Sequence, residues 1–77
     1  MQKTKTIFDM NIGETKKIVN MDKIDRAVYH RFIDLGIAPN AFVKLLNKIN
    51  FNHLYIIEVD DVEICIRQKD AKKIIVE

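Results

Sequence analysis

Chemistry in this 77-residue chain would have to come from a few side chains: one cysteine, Cys65, two histidines, His30 and His53, and the acidic group Asp60, Asp61 and Glu63. Nucleophilic catalysis needs a thiol or hydroxyl within hydrogen-bond reach of a base. Cys65 stands between Ile64 and Ile66 in a β-rich run, where it is expected to pack as a small apolar residue, with no neighbour that would hold a thiolate. A metal site made from His30, His53 and Cys65 would require three remote positions to converge, because no CxxC, HxxxH or HExxH spacing occurs. His30 reads as a surface residue of a helix and His53 as a polar loop residue. Asp60, Asp61 and Glu63 read as a solvated hairpin tip, open at most to adventitious cations. Two isolated glycines cannot build a GxGxxG or GxxxxGK[ST] phosphate cradle, so nucleotide hydrolysis is unsupported and no cofactor is expected. Tyr29, Phe51 and Tyr55 could form an aromatic surface that reads an extended peptide, although aromatics in so thin a core are more simply packing residues. A role in binding, without catalysis, is the expectation.

The partner class is narrowed by charge. Thirteen basic and eleven acidic residues are interspersed, and the densest cationic groups are the pairs Lys16–Lys17 and Lys72–Lys73. Nucleic-acid recognition depends on many clustered cations that release counterions, so no nucleic acid is expected. No apolar stretch approaches the roughly 20 residues of a membrane-spanning helix. The start, Met1 to Thr6, is followed by no apolar export segment, because Asp9, Asn11, Glu14, Lys16 and Lys17 interrupt every run. A lone cysteine cannot form an internal disulfide, which fits a reducing compartment. A cytoplasmic location without membrane insertion follows as an expectation.

The elements that must position these residues are marked by sparse punctuation. At 48% hydrophobic and 31% charged residues the chain belongs to the globular class, and its length fits a single domain over residues 1–77. Gly13 marks a turn before a first strand in Glu14 to Met21. Asp22 is placed to cap a helix and Asp25 to favour its positive end. Ile24, Ala27, Val28, Phe32 and Leu35 then recur at helical spacing on one face. Gly36 can close that helix in a left-handed conformation, and Pro39 prevents it from resuming. Phe42 to Ile49 reads as a strand, Asn50 to His53 as a loop, and Leu54–Val59 with Val62–Ile66 as a hairpin turning at Asp60 and Asp61. A helical turn at Gln68 to Lys73 leads to a closing strand, Ile74 to Val76. The fold class is therefore mainly β: a small SH3-like barrel of about five strands with one inserted amphipathic helix covering an open end, the alternative being a half-open β-sheet packed on the same helix.

The run from Arg31 to Pro39, RFIDLGIAP, is similar to the RLxDLGhxPG signature of ferrous iron transport protein A, the FeoA family. Ile7, Met10, Gly13 and Glu14 resemble that family's LxxLxxGE opening, Ile64 to Arg67 its IALR strand, and Asp70, Ala71, Ile74 and Val76 its closing EAxxIxV. These segments occur in the family's order along nearly the whole chain. Asn40 replaces the glycine of the PG turn, Asn50 to His53 stand where many members carry a GDP loop, and Asp60 with Asp61 occupy a hairpin that often carries glycine. Asparagine is the next best residue for a left-handed position.

The resemblance implies an SH3-like barrel, a cytoplasmic location and association with the cytoplasmic part of a FeoB-type membrane transporter, and it does not imply catalysis. The same kind of domain also occurs fused to metal-dependent repressors, but within these 77 residues no DNA-binding module is expected beside it. The contact surface is expected on the helix face with Arg26, Tyr29, His30 and Arg31 and on the adjoining turn with Gly36, Pro39 and Asn40. Weak self-association is compatible with this role. Two alternatives are a metal-responsive sensor using His or carboxylate ligands and an orphan SH3-like adaptor for another protein.

Overall fold

A computed structural model describes residues 4–77; the first three residues of the polar Met1–Thr6 start lie outside it. The strands are β1 (Lys5–Thr6), β2 (Thr15–Asn20), β3 (Phe42–Ile49), β4 (Leu54–Val59), β5 (Val62–Arg67) and β6 (Ile75–Val76). Helix α1 (Arg26–Asp34) is inserted between β2 and β3, and the single turn α2 (Gln68–Ala71) follows β5. All pairings are antiparallel, in the order β1-β6-β2-β3-β4-β5. This is the expected mainly β architecture with one inserted helix, but the described residues form six strands where five were expected, and among them the two end strands of the sheet are not paired with each other. The additional strand, β1, has only two residues, too few to show a periodicity.

The sheet bends where its register slips. Pairing shifts between Ile18 and Asn20 on β2 and between Leu45 and Asn47 on β3. Extra residues at such points bend a strand and increase its twist. Just before the first slip β2 changes its paired neighbour, from β3 at Lys17 to β6 at Ile18, and Lys17 exchanges two 2.9 Å backbone hydrogen bonds with Glu77. Alternate residues of the bent sheet face inward, so Ile18, Val43, Leu45, Tyr55, Ile57, Val59, Ile64, Ile66 and Val76 form one core with Ile7, Met10, Ile37 and Ile74.

Local hydrogen bonds settle how α1 begins and ends. The start differs from the expected cap at Asp22. The Asp22 amide donates to Asn20 Oδ1 at 2.7 Å while its carboxylate accepts from Asn20 Nδ2 at 3.1 Å, so Asp22 shapes a turn and the helix begins after Asp25. At the other end the Gly36 amide donates to the Ile33 carbonyl (3.0 Å) and the Ile37 amide to the Phe32 carbonyl (2.9 Å). These two bonds with Gly36 at φ +91° make a Schellman closure, and Ile37 and Phe32 are both buried beside it.

Candidate functional site

Helix α1 is held to the domain by little of its own surface. Phe32 is its only buried residue, with Val28 and Tyr29 half-buried against the core. Ala27 and Leu35, expected on the packed face, are exposed, so the buried stripe is narrower than the apolar spacing suggests. Ile33 and Leu35 keep 37% and 43% of their surface open to solvent. Around them Arg26, His30 and Arg31 are exposed. The Tyr29 and His30 rings meet edge to face at 6.0 Å, and the Arg31 guanidinium lies 5.9 Å from the Phe32 ring centroid. Lys16 with Glu14, at 3.7 Å, is the one ion pair among the described residues, so Arg26 and Arg31 have no carboxylate partner there. Glu14 also accepts the Asn11 amide at 2.7 Å, and that hydrogen bond holds its carboxyl below the usual carboxylate range.

The turn after α1 continues this surface. Ala38 accepts a hydrogen bond from the Ala41 amide at 3.0 Å, and between them stand Pro39 and Asn40, the latter at φ +77°. Proline followed by a left-handed residue is the pattern of a type II turn, so asparagine does here what glycine does in the PG version. Pro39 and Asn40 are exposed, and the Asn40 amide donates to the Ile18 carbonyl at 2.7 Å, tying the turn to β2. Gly36 abuts the β4–β5 turn: a Cβ there would lie 3.8 Å from both Val59 Cγ1 and Asp60 Oδ2. Beyond it Thr15, Phe42, Lys44, Glu58, Asp60 and Asp61 line an open cleft of about 310 Å³. Phe42 is 64% exposed. The seven residues expected to form the contact surface thus fall on α1 and the turn that follows it. Ile33, Leu35 and Phe42 are also exposed, which the sequence did not suggest, because residues in or beside an amphipathic pattern are ordinarily assigned to the core.

The other candidates do not assemble. His30 is exposed on α1, His53 is exposed in the β3–β4 turn, and Cys65 is exposed on β5. No group of three or more His, Cys, Asp or Glu among the described residues is placed to hold a metal ion. The expected packing of Cys65 is overturned: Ile64 and Ile66 face the core, so alternation turns the thiol between them outward, opposite Ile56 of β4. Tyr55 does pack, at 1% exposure, with Phe8 stacked 6.3 Å away and the Lys48 ammonium 5.5 Å from its ring. Phe51 does not pack. It is 95% exposed, at φ +58° between Asn50 and Asn52, which are also left-handed. The three aromatics therefore form no common surface.

A family model described as the FeoA domain matches residues 5–77. No curated protein matches the chain. Among solved structures, the FeoA protein from Chlorobium tepidum superposes with a TM-score of 0.90 at 19% identity, over 95% of this chain and 69% of that one. An iron uptake regulatory protein (FeoA) does so with a TM-score of 0.81 at 20% identity, over 99% and 97%. A manganese-dependent transcriptional repressor in complex with manganese matches with a TM-score of 0.85 at 15% identity, over 100% of this chain and 37% of the repressor.

Proposed function

This chain belongs to the FeoA domain family, and from that premise we propose that it is a cytoplasmic accessory protein of ferrous iron uptake that binds the cytoplasmic part of a FeoB-type transporter and modulates it. The family is associated with ferrous iron transport and is a family of small accessory domains, not a known enzyme family. Accordingly the chain acts by contact and not by catalysis. One observation carries the reading: α1 buries Phe32 alone and leaves Ile33 and Leu35 open beside the exposed cations Arg26 and Arg31. A surface that combines apolar area with unpaired charge suits a protein partner, with the apolar part supplying affinity and the charged rim steering approach. The cationic rim calls for an acidic surface on the transporter.

Co-purification of the transporter with the tagged chain tests this. The wild type is expected to retain the transporter, and Leu35→Asn combined with Arg31→Glu is expected to lose it at unchanged thermal stability, since both side chains are exposed. Tyr29 is a poorer choice because it packs against the core. Retention of the transporter by the double variant would sink the proposed surface, and failure of the wild type to retain it would sink the proposed partner.

A further inference from the structure

The last strand of the sheet, β5, has β4 on one side and no strand on the other among the described residues. Its hydrogen-bonding phase follows from the hairpin. Asp60 and Asp61 both have positive φ (+51° and +66°), and Val59 pairs with Val62 around this two-residue turn, so Val59 and Val62 form the hydrogen-bonded closing pair. Antiparallel ladders alternate hydrogen-bonded and non-hydrogen-bonded pairs. Ile64 and Ile66 therefore bond to β4, while the N–H and C=O groups of Glu63, Cys65 and Arg67 point away from it. The Gln68 amide, which continues the same alternation, donates to the His53 carbonyl at 2.8 Å, as this phase requires.

The side chains of the three outward-bonding residues are all exposed and share one face. Glu63 stands directly opposite Glu58 of β4, a like-charged pair that destabilises the sheet by itself. Arg67 lies four positions along the strand, about 13 Å away, too far to relieve that repulsion within the chain. Neither Glu63 nor Arg67 has an ion-pair partner among the described residues.

We infer that β5 is a self-association edge that takes β5 of a second copy of this chain. Only one antiparallel register matches all three outward-bonding residues with each other: Glu63 faces Arg67 of the partner subunit, Cys65 faces Cys65 of the partner subunit, and Arg67 faces Glu63 of the partner subunit. The arrangement is two-fold symmetric. It places a guanidinium beside each Glu58–Glu63 pair and satisfies the free backbone groups of both edges. Registers centred on Glu63 or on Arg67 would set like charges against each other, so the same side chains that permit this pairing oppose those alternatives. The interface is small, and association is correspondingly weak and concentration-dependent.

Amide hydrogen exchange at increasing protein concentration reads the inference directly. The amides of Glu63, Cys65 and Arg67 are expected to slow with concentration while those of Val62, Ile64 and Ile66, already bonded to β4, do not change. Sedimentation supplies the second arm. Glu63→Lys turns two attractive pairs repulsive by symmetry and is expected to weaken the dimer roughly tenfold or more. Its thermal midpoint should be maintained or raised, because the Glu58–Glu63 repulsion disappears, which separates loss of association from loss of folding. Glu63→Lys with Arg67→Glu is expected to restore the dimer and the capture of Cys65 pairs by a short bismaleimide. A chain that stays monomeric at all concentrations, protection arising on α1 instead of β5, or a doubly reversed variant that remains monomeric would each overturn the inference.

Discussion

Gly36 and Asn40 both hold left-handed backbone, at φ +91° and +77°, and they define the turn beside α1. The space around Gly36 is sufficient for a methyl group, since its nearest neighbours would lie at 3.8 Å. Gly36→Ala is therefore expected to cost about 1–2 kcal/mol from backbone conformation alone, without a steric contribution. A lower urea midpoint at unchanged denaturant slope would show it. Both positions were legible in the sequence, because a helix stop and a proline-led turn depend on their own few residues. Cys65 was equally legible and still misassigned: the isoleucines on either side face the core, and strand alternation then sends the cysteine outward. Phe51 was not legible, since no composition rule reveals that a phenylalanine will sit 95% exposed in a left-handed turn.

At the scale of the element, α1 is an amphipathic helix whose one fully buried contact is the Phe32 ring, with Val28 and Tyr29 half-buried beside it. Phe32 lies at the end where the Schellman closure bonds its carbonyl to the Ile37 amide. Phe32→Ala should remove the buried ring while leaving its backbone carbonyl bonded to Ile37, at a cost of about 3–5 kcal/mol. Amide exchange should report faster opening of α1 than of β3 and β4 in the wild type, and a loss of α1 protection in the variant. Uniform protection across helix and sheet would contradict this. The helix was anticipated from its spacing, but its first turn was not. Asp22 is as good a cap as Asp25 by residue type, and only the hydrogen bonds between Asn20 and Asp22 decide against it.

At the scale of the whole molecule, the core is assembled around Tyr55, the largest fully buried side chain. Burial raises its phenol above the ordinary value of 10.0, with Asp9 adding in the same direction and Gln68 opposing. The unfolded chain therefore releases this proton first, so the contribution of the neutral phenol to stability is complete below pH 10 and declines as pH rises toward the folded value. Relative to Tyr55→Phe, the wild type is expected to lose stability progressively above pH 10, and below it the difference between the two should be constant. Denaturation series at several alkaline pH values would check the sign. The mainly β class was legible because alternation is local. The strand order was not, because β1 finds β6 across nearly the whole chain and no residue within a two-residue strand announces a partner so distant.

That pairing also determines how the domain can be used as a building block. Lys5 lies against Val76 and Thr6 against Ile75, so the first and last strands of the described residues are neighbours, a strand spacing of about 4.8 Å apart. A domain whose first and last strands are paired neighbours can be spliced into a surface loop of a host protein, or those strands joined and the fold reopened elsewhere, without a linker that crosses the fold.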